Sequence, residues 1–203
     1  MQYFDTLPKI IKTDAKGNSY LLTNILARAN LLQSFLTSPA IYYEYDIQDG
    51  DTPEIIAHKY YGDVYRYWVV LFANQIIDPQ WEWPMSGVVF ESYINNKYTL
   101  ASPSVNPLTT VHHYEKQIDT LDISTNITTT NKIAISQTTY NSLTTSTTNY
   151  SLATGTVKVT ISKNLINIYN YELQLNEDKR SIKILKNNYV GQLEKQLKSL
   201  MSQ

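Results

Sequence analysis

The residues with which this chain could do chemistry are three histidines and two close pairs of carboxylates. Hydrolysis through a nucleophile needs a base beside Ser, Thr or Cys and donors for the oxyanion. The candidate bases are His58, His112 and His113. His58 falls inside a helical stretch, and one ring alone makes no constellation. His112 and His113 follow each other in the strand-like run "TTVHHYE", where neighbours point to opposite faces, so they are not expected to grip one metal. The pairs Asp49/Asp51 and Glu177/Asp178 offer the two carboxylates that glycosidic cleavage uses. Asp49 and Asp51, however, flank a turn, and Asp51 is read as helping to cap a helix. The run "NEDKR" at Asn176–Arg180 reads as a solvated turn or an ion-pair network between chains. No phosphate-binding loop occurs. The absence of cysteine excludes disulfides and Cys-ligated zinc or iron–sulfur sites. No catalytic residue, metal or cofactor is therefore expected.

Composition narrows the partners. Basic and acidic residues number 17 and 18, a balance that argues against nucleic acid or an anionic membrane, both of which need clustered Lys and Arg. No apolar run approaches the ~20 residues that cross a bilayer. The opening "MQYFDTLPKIIKTD" lacks the apolar core of a secretion signal, so export by that route is not expected. Tyrosine stands out at 17 residues. Its broad, stiff, polar-tipped ring is enriched where proteins meet.

The elements that would position these residues follow from local signals. Residues 1–22 read as an extended arm, with turn chemistry at Asp14–Asn18. From Thr23, apolar residues at Ile25, Leu26, Ala29, Leu32 and Leu36 predict a helix that Pro39 ends. "IYYEYDIQ" alternates as a strand. Gly50 then permits a tight turn, Thr52 caps a helix with Pro53 at its first position, Gly62 ends it, and Asp63 caps the next. Val64, Trp68, Leu71 and Phe72 form the stripe of that second helix, which stops at Asn74. Ser86 is expected to cap a further helix with Val88, Val89 and Tyr93 facing inward. Residues 99–167 form a Thr/Ser/Asn-rich insertion in which "TTVHHYE", "KIAISQT" and "TGTVKVTIS" have strand character, read as short strands on an extended arm. Residues 168–203 read as a Tyr-rich extended piece, a strand with Ile182 and Ile184 opposite Lys183 and Leu185, and a helix. Val190, Leu193, Leu197 and Leu200 make one apolar stripe on that helix, which must dock somewhere because it is marginal alone. The fold class is α+β, with residues 23–98 as a helix plus a small domain.

The stretch Tyr45–Pro79 resembles a LysM module in Tyr45, Ile47, Gly50, Asp51, Thr52, Ile56, Ala57, Asn74, Asp78 and Pro79. That resemblance implies a shallow groove for N-acetylglucosamine polymers between two loops, formed by Gly50, Asp51, Thr52, Asn74, Ile76, Asp78 and Pro79. A LysM module closes with a second strand beside the first; here "QWEWP" stands in that place, so the closing strand is reduced at best to "WEW". More of the chain is similar to the baseplate wedge protein 53 family of contractile-tailed phages. The similarity runs through "NILARANLL", the stretch from Tyr42 to Pro84, "HHYE", and a closing signature at Tyr171, Glu172, Asn176, Glu177, Arg180, Ile182 and Ile184. It implies a structural subunit, not an enzyme, in a LysM-like βαα module with a mostly β arm. Its expected setting is the virion tail baseplate, assembled in the host cytoplasm at a sixfold copy number. Expected partners are other wedge subunits, including the sheath-initiator-like subunit and the helical bundle of the wedge core, with hub neighbours possible. Tyr169, Tyr171, Glu172, Asn176, Glu177, Arg180, Ile182, Ile184, Leu193, Leu197 and Leu200 are the expected protein interface. The alternative is a glycan-binding module of a tail-associated protein.

Overall fold

The structure, a computed structural model, describes residues 3–27, 38–152 and 155–201. In chain order the elements begin with β1 (Lys9–Thr13), β2 (Ser19–Thr23), β3 (Tyr42–Asp46), α1 (Pro53–Tyr61), α2 (Tyr67–Ala73), α3 (Pro79–Glu82) and α4 (Gly87–Ile94). They continue with β4 (Val111–Asp122), β5 (Ile127–Ile135), α5 (Gln137–Ser142), β6 (Ser146–Leu152), β7 (Gly155–Asn167), α6 (Ile168–Glu177), β8 (Ser181–Leu185) and α7 (Asn187–Met201). This mixed content fits the α+β class. The chain divides into two compact units, Met1–Ser86 with Glu177–Gln203, and Gly87–Asn176. Those boundaries differ from the four segments read from composition.

The first unit is built on β3 and β8, which pair antiparallel with Tyr42 opposite Leu185 and Tyr45 opposite Ile182. The strand beside β3 is therefore not "WEW", which forms the end of α3 and its cap. It comes from the far end of the chain, after the whole second unit. The local reading between the strands is matched in detail. Gly50 turns at φ +87°, the Thr52 hydroxyl accepts the Ile55 N–H, and Gly62 ends α1 in the left-handed conformation. Asp63 accepts the Tyr65 N–H and starts a short 3₁₀ turn that runs into α2. Behind the sheet lies one apolar cluster containing Ile47, Ile56, Ala57, Tyr61, Trp68, Val69, Val70, Ile182, Ile184 and Leu185. The buried face of α2 is Trp68, Val69, Val70 and Ala73, whereas Val64 is 44% exposed. Leu185 is buried as well, contrary to its outward place in the strand alternation.

α7 lays Val190, Leu193, Leu197 and Met201 onto this same cluster, while Leu200 stays 45% exposed. The stripe thus docks on its own unit. Each such fully buried aliphatic side chain contributes roughly 1.5–3 kcal/mol. The beginning of the chain is not a free arm either. Leu7 is buried, and the Tyr3 ring lies 5.9 Å from those of Trp68 and Phe72. β1 and β2 then make a hairpin closed by Asp14, whose carboxylate accepts the backbone N–H groups of Lys16 and Asn18. Thr23 ends β2. Of the helix expected after it, residues 28–37 lie outside the described residues.

The second unit carries an antiparallel sheet of order β5-β4-β7-β6. Its strands are longer than expected, 12 residues in β4 and 13 in β7, so this region is a sheet rather than an arm. Phe90 and Ile94 are the buried residues of α4; Val88 and Val89, expected to face inward, are 81% and 54% exposed. The Tyr-rich piece expected to be extended is the helix α6. Ile168, Glu172 and Asn176, spaced one helical turn apart, form its buried face.

Candidate functional site

The two loops of the expected groove lie in the first unit, and its side chains are engaged inside the chain. Asp51 accepts the Tyr45 hydroxyl at 2.5 Å, the Gln48 N–H at 3.2 Å and the Lys59 ammonium at 2.6 Å. It therefore joins β3, the turn and α1, and leaves helix capping to Thr52. Burial pushes the Asp51 carboxyl up, but the bonds from Lys59, Tyr45 and Gln48 outweigh it and hold the group below the ordinary aspartate range. Asn74, at the end of α2, acts as a piece of strand. Its amide donates to the Lys183 carbonyl and accepts the Lys183 N–H, both at 2.8 Å, and also donates to the Val70 carbonyl. Asp78 caps α3, with Pro79 at the first helical position, and Glu82 accepts the N–H groups of Ile77 and Asp78. Ile76 bonds through its N–H to the Leu71 carbonyl and is half-buried.

One indole joins the two loops. Trp83 donates through Nε1 to the Asp51 carbonyl at 2.9 Å. That loop carbonyl is thus taken by the protein's own side chain. Neither Trp83 nor Lys59 was singled out in the sequence. For Lys59 the available signal was its place two turns of helix from Asp51, on the face toward the strand.

The closing signature is held inside the fold as well. Ile182 and Ile184 are core residues, and Arg180 donates to the Ile47 carbonyl at 3.1 Å and pairs with Glu177 at 2.7 Å. In the second unit the buried Glu172 carboxylate takes bonds from Tyr98 at 2.5 Å, Lys97 at 2.8 Å and Tyr93 at 3.2 Å. Burial raises this carboxyl, yet Lys97 and the two phenols draw it below the usual glutamate range. Lys97 loses some basicity to burial but gains more from Glu172 and Tyr93, so its ammonium is held well above the ordinary lysine value. Asn176 is 2% exposed. Tyr169 bonds Glu91 at 2.6 Å and packs edge-on against Phe90. Glu172, Asn176, Ile182, Ile184, Leu193 and Leu197, expected at a protein interface, are each less than a tenth exposed in the isolated chain. Of that set, Leu200 and Glu177 remain on the surface.

The histidines also depart from expectation. The β4 register shifts between Val111 and His113, and this bulge brings both rings to one side, their Nδ1 atoms 2.8 Å apart. His112 stacks on Tyr171 at 3.8 Å, and His113 Nε2 meets Glu115 at 3.1 Å. The pair tethers α6 to β4. Among the described residues no group of three metal-ligating side chains occurs, and no helix is long and apolar enough to cross a membrane.

These tethers secure the fold. Compared with protein families, residues 2–200 match Base plate wedge protein 53. The chain belongs to this family. A comparison with curated proteins found no match. A wedge protein is a structural component of the phage tail baseplate and associates with other baseplate proteins. In this wedge protein the match spans residues of both units.

Proposed function

We propose that this chain links neighbouring wedge proteins around the central hub of a contractile tail, as a non-catalytic clip. The observation that carries this reading is the β1–β2 hairpin. Ile11 and Leu21 face each other across it at 74% and 69% exposure, and Ile10, Tyr20 and Leu22 are exposed too. A two-stranded ribbon is marginal alone, and apolar residues on both its sides call for a neighbour. Leu200 and Glu177 extend the contact set on the same unit. The sheath-initiator-like subunit and the helical bundle of the wedge core are the proposed neighbours, with six copies per baseplate, added in the host cytoplasm. Quantitative mass spectrometry of purified tails should return six copies per particle. Ile11→Asp should block wedge joining while leaving the purified chain folded; wedges that join normally with that variant would overturn the linking role of the hairpin.

The first unit supports a second reading of its ancestry. Its order of strand, helix, helix and returning strand, with the motif at Tyr45–Pro79, is that of a LysM-like module whose closing strand, β8, follows a large insertion. The groove at Gly50, Asp51, Thr52, Asn74, Ile76, Asp78 and Pro79 is vestigial in this reading, because Trp83 and Lys183 hold the groups a glycan would use. Calorimetric titration with N-acetylglucosamine oligomers should show no binding. Micromolar binding that Trp83→Ala strengthens would establish a live groove instead.

A further inference from the structure

The sheet of the second unit is two-faced in chemistry. Strand alternation and register place Ile118, Ile133, Ile161, Val159, Val157 and Tyr150 on one face. The other face carries a polar network in which Gln117 and Thr130 both donate to Asp119 and Asn164 donates to Gln117. Nothing on the sheet is fully buried among the described residues. The helix α5 folds over one end of the apolar face, where Tyr140 packs on Tyr114 at 4.7 Å and its carbonyl accepts the Lys163 ammonium. Of the remainder, Ile133 and Tyr150 on the outer strands are 50% and 52% exposed, and Ile118, Ile161, Val159 and Val157 between them are half-buried. At strand spacings of ~4.8 Å and ~3.4 Å per residue the face measures on the order of 500 Å². That is near one partner's share of a modest specific interface and large for a patch left in water.

The charges on this face say what covers it. Lys116 lies directly opposite Lys163 in the β4–β7 register, and like charges so placed weaken a sheet. Lys163 is satisfied by α5. Lys116 is half-buried, and its ammonium has no hydrogen bond or ion pair among the described residues. The one carboxylate the register puts on this face is Asp122, and it is folded back onto the hydroxyl and N–H of Ser124. Among the described residues of this face, and so in a second copy of the same face, no free carboxylate stands against Lys116.

We infer that the Ile118–Ile161 face of the second unit docks an apolar surface of a different baseplate protein that sets an Asp or Glu carboxylate against Lys116. The inference rests on the chain's place among baseplate proteins and adds the surface and its chemistry. The test uses intact tail particles and the purified chain, each treated with an amine-reactive label and, separately, with a carbodiimide that joins amines to touching carboxylates. Labelling of Lys116 should fall several-fold in the particle, while Lys132 and Lys158 on the polar face keep their reactivity. The carbodiimide should join Lys116 to an acidic residue of another protein in particles. Equal labelling of Lys116 in both samples would overturn the docking face, and a crosslink only to a second copy of this chain would overturn the occupant. Absence of the chain from the particles would remove the underlying baseplate reading instead, so the two failures are told apart.

Discussion

The two units solve the problem of burial in opposite ways. The first gathers aliphatic and aromatic side chains from both ends of the chain into one cluster under β3 and β8. The second stands on a helix pair and a carboxylate knot at Glu172, while its largest element, the sheet, keeps an apolar face open. A unit that finishes its own core is a scaffold. One that leaves half a sandwich is built to be completed by something else. Within the closing signature, Ile182 and Ile184 complete that core and Arg180 bonds the Ile47 carbonyl beside it.

The sharpest way to break this comparison is to remove Asn187–Gln203. If α7 only reached out to partners, the first unit would survive the deletion. With Val190, Leu193, Leu197 and Met201 in its core, the truncated chain should instead lose the cooperative unfolding of that unit. Tryptophan emission reports it cleanly, because Trp68, Trp81 and Trp83 all lie there. A native-like emission spectrum and transition in the truncated chain would return α7 to a docking role.

Next in size are matched truncations in the two units. Ile184, fully buried, should lose about 2–5 kcal/mol on Ile184→Ala. Ile133→Ala on the same sheet face should cost less than about 1.5 kcal/mol in the free chain, since that side chain is already half exposed. Urea melts followed by emission and by circular dichroism give both values. Equal costs would mean the sheet face is already covered in the isolated protein.

What was legible in the sequence was local. Thr52, Pro53, Gly62 and Asp63 act on backbone groups within a few residues, so their types alone mark the start of α1 and its end. The pairing of β3 with β8 was hidden because a strand's partner is chosen by the shared core, and between them stands a whole second unit. α6 escaped notice because two of its buried positions are Glu172 and Asn176, polar residues that no hydrophobic pattern marks, while its tyrosines favour strands. The bulge that unites His112 and His113 broke an inference sound for a regular strand. The bonds that Trp83 makes to Asp51 and Lys183 makes to Asn74 join residues distant in sequence, which local signals do not reveal.

Acid should separate the units. Both Glu172 and Asp51 have carboxyls depressed in the fold and side chains less than a tenth exposed. A depressed carboxylate contributes stability that is complete above its unfolded value and drains away as pH falls through the folded one. The ordinary values are 4.5 for Glu172 and 3.8 for Asp51. Loss therefore begins in the second unit at the higher pH, and circular dichroism should fall before tryptophan emission shifts. Glu172→Gln should remove that early phase, whereas Asp51→Asn should flatten only the later one. Simultaneous transitions in the unmodified chain would show that the two carboxylates do not mark separate units.

The smallest effect bears most directly on why the second unit is left open. Two lysines opposite each other on β4 and β7 are a defect in an isolated sheet, and Lys116→Gln removes the repulsion with little change of volume. The variant should gain about 0.2–1 kcal/mol in the free chain, the usual size of a cross-strand pair. In the tail the same change should weaken incorporation, because the carboxylate that Lys116 awaits loses its charge partner. A gain in the free protein together with a loss in the particle is the signature of a residue kept for its partner. If Lys116→Gln left the free chain weaker, the lysine would be serving the sheet itself, and the second unit would be a scaffold like the first.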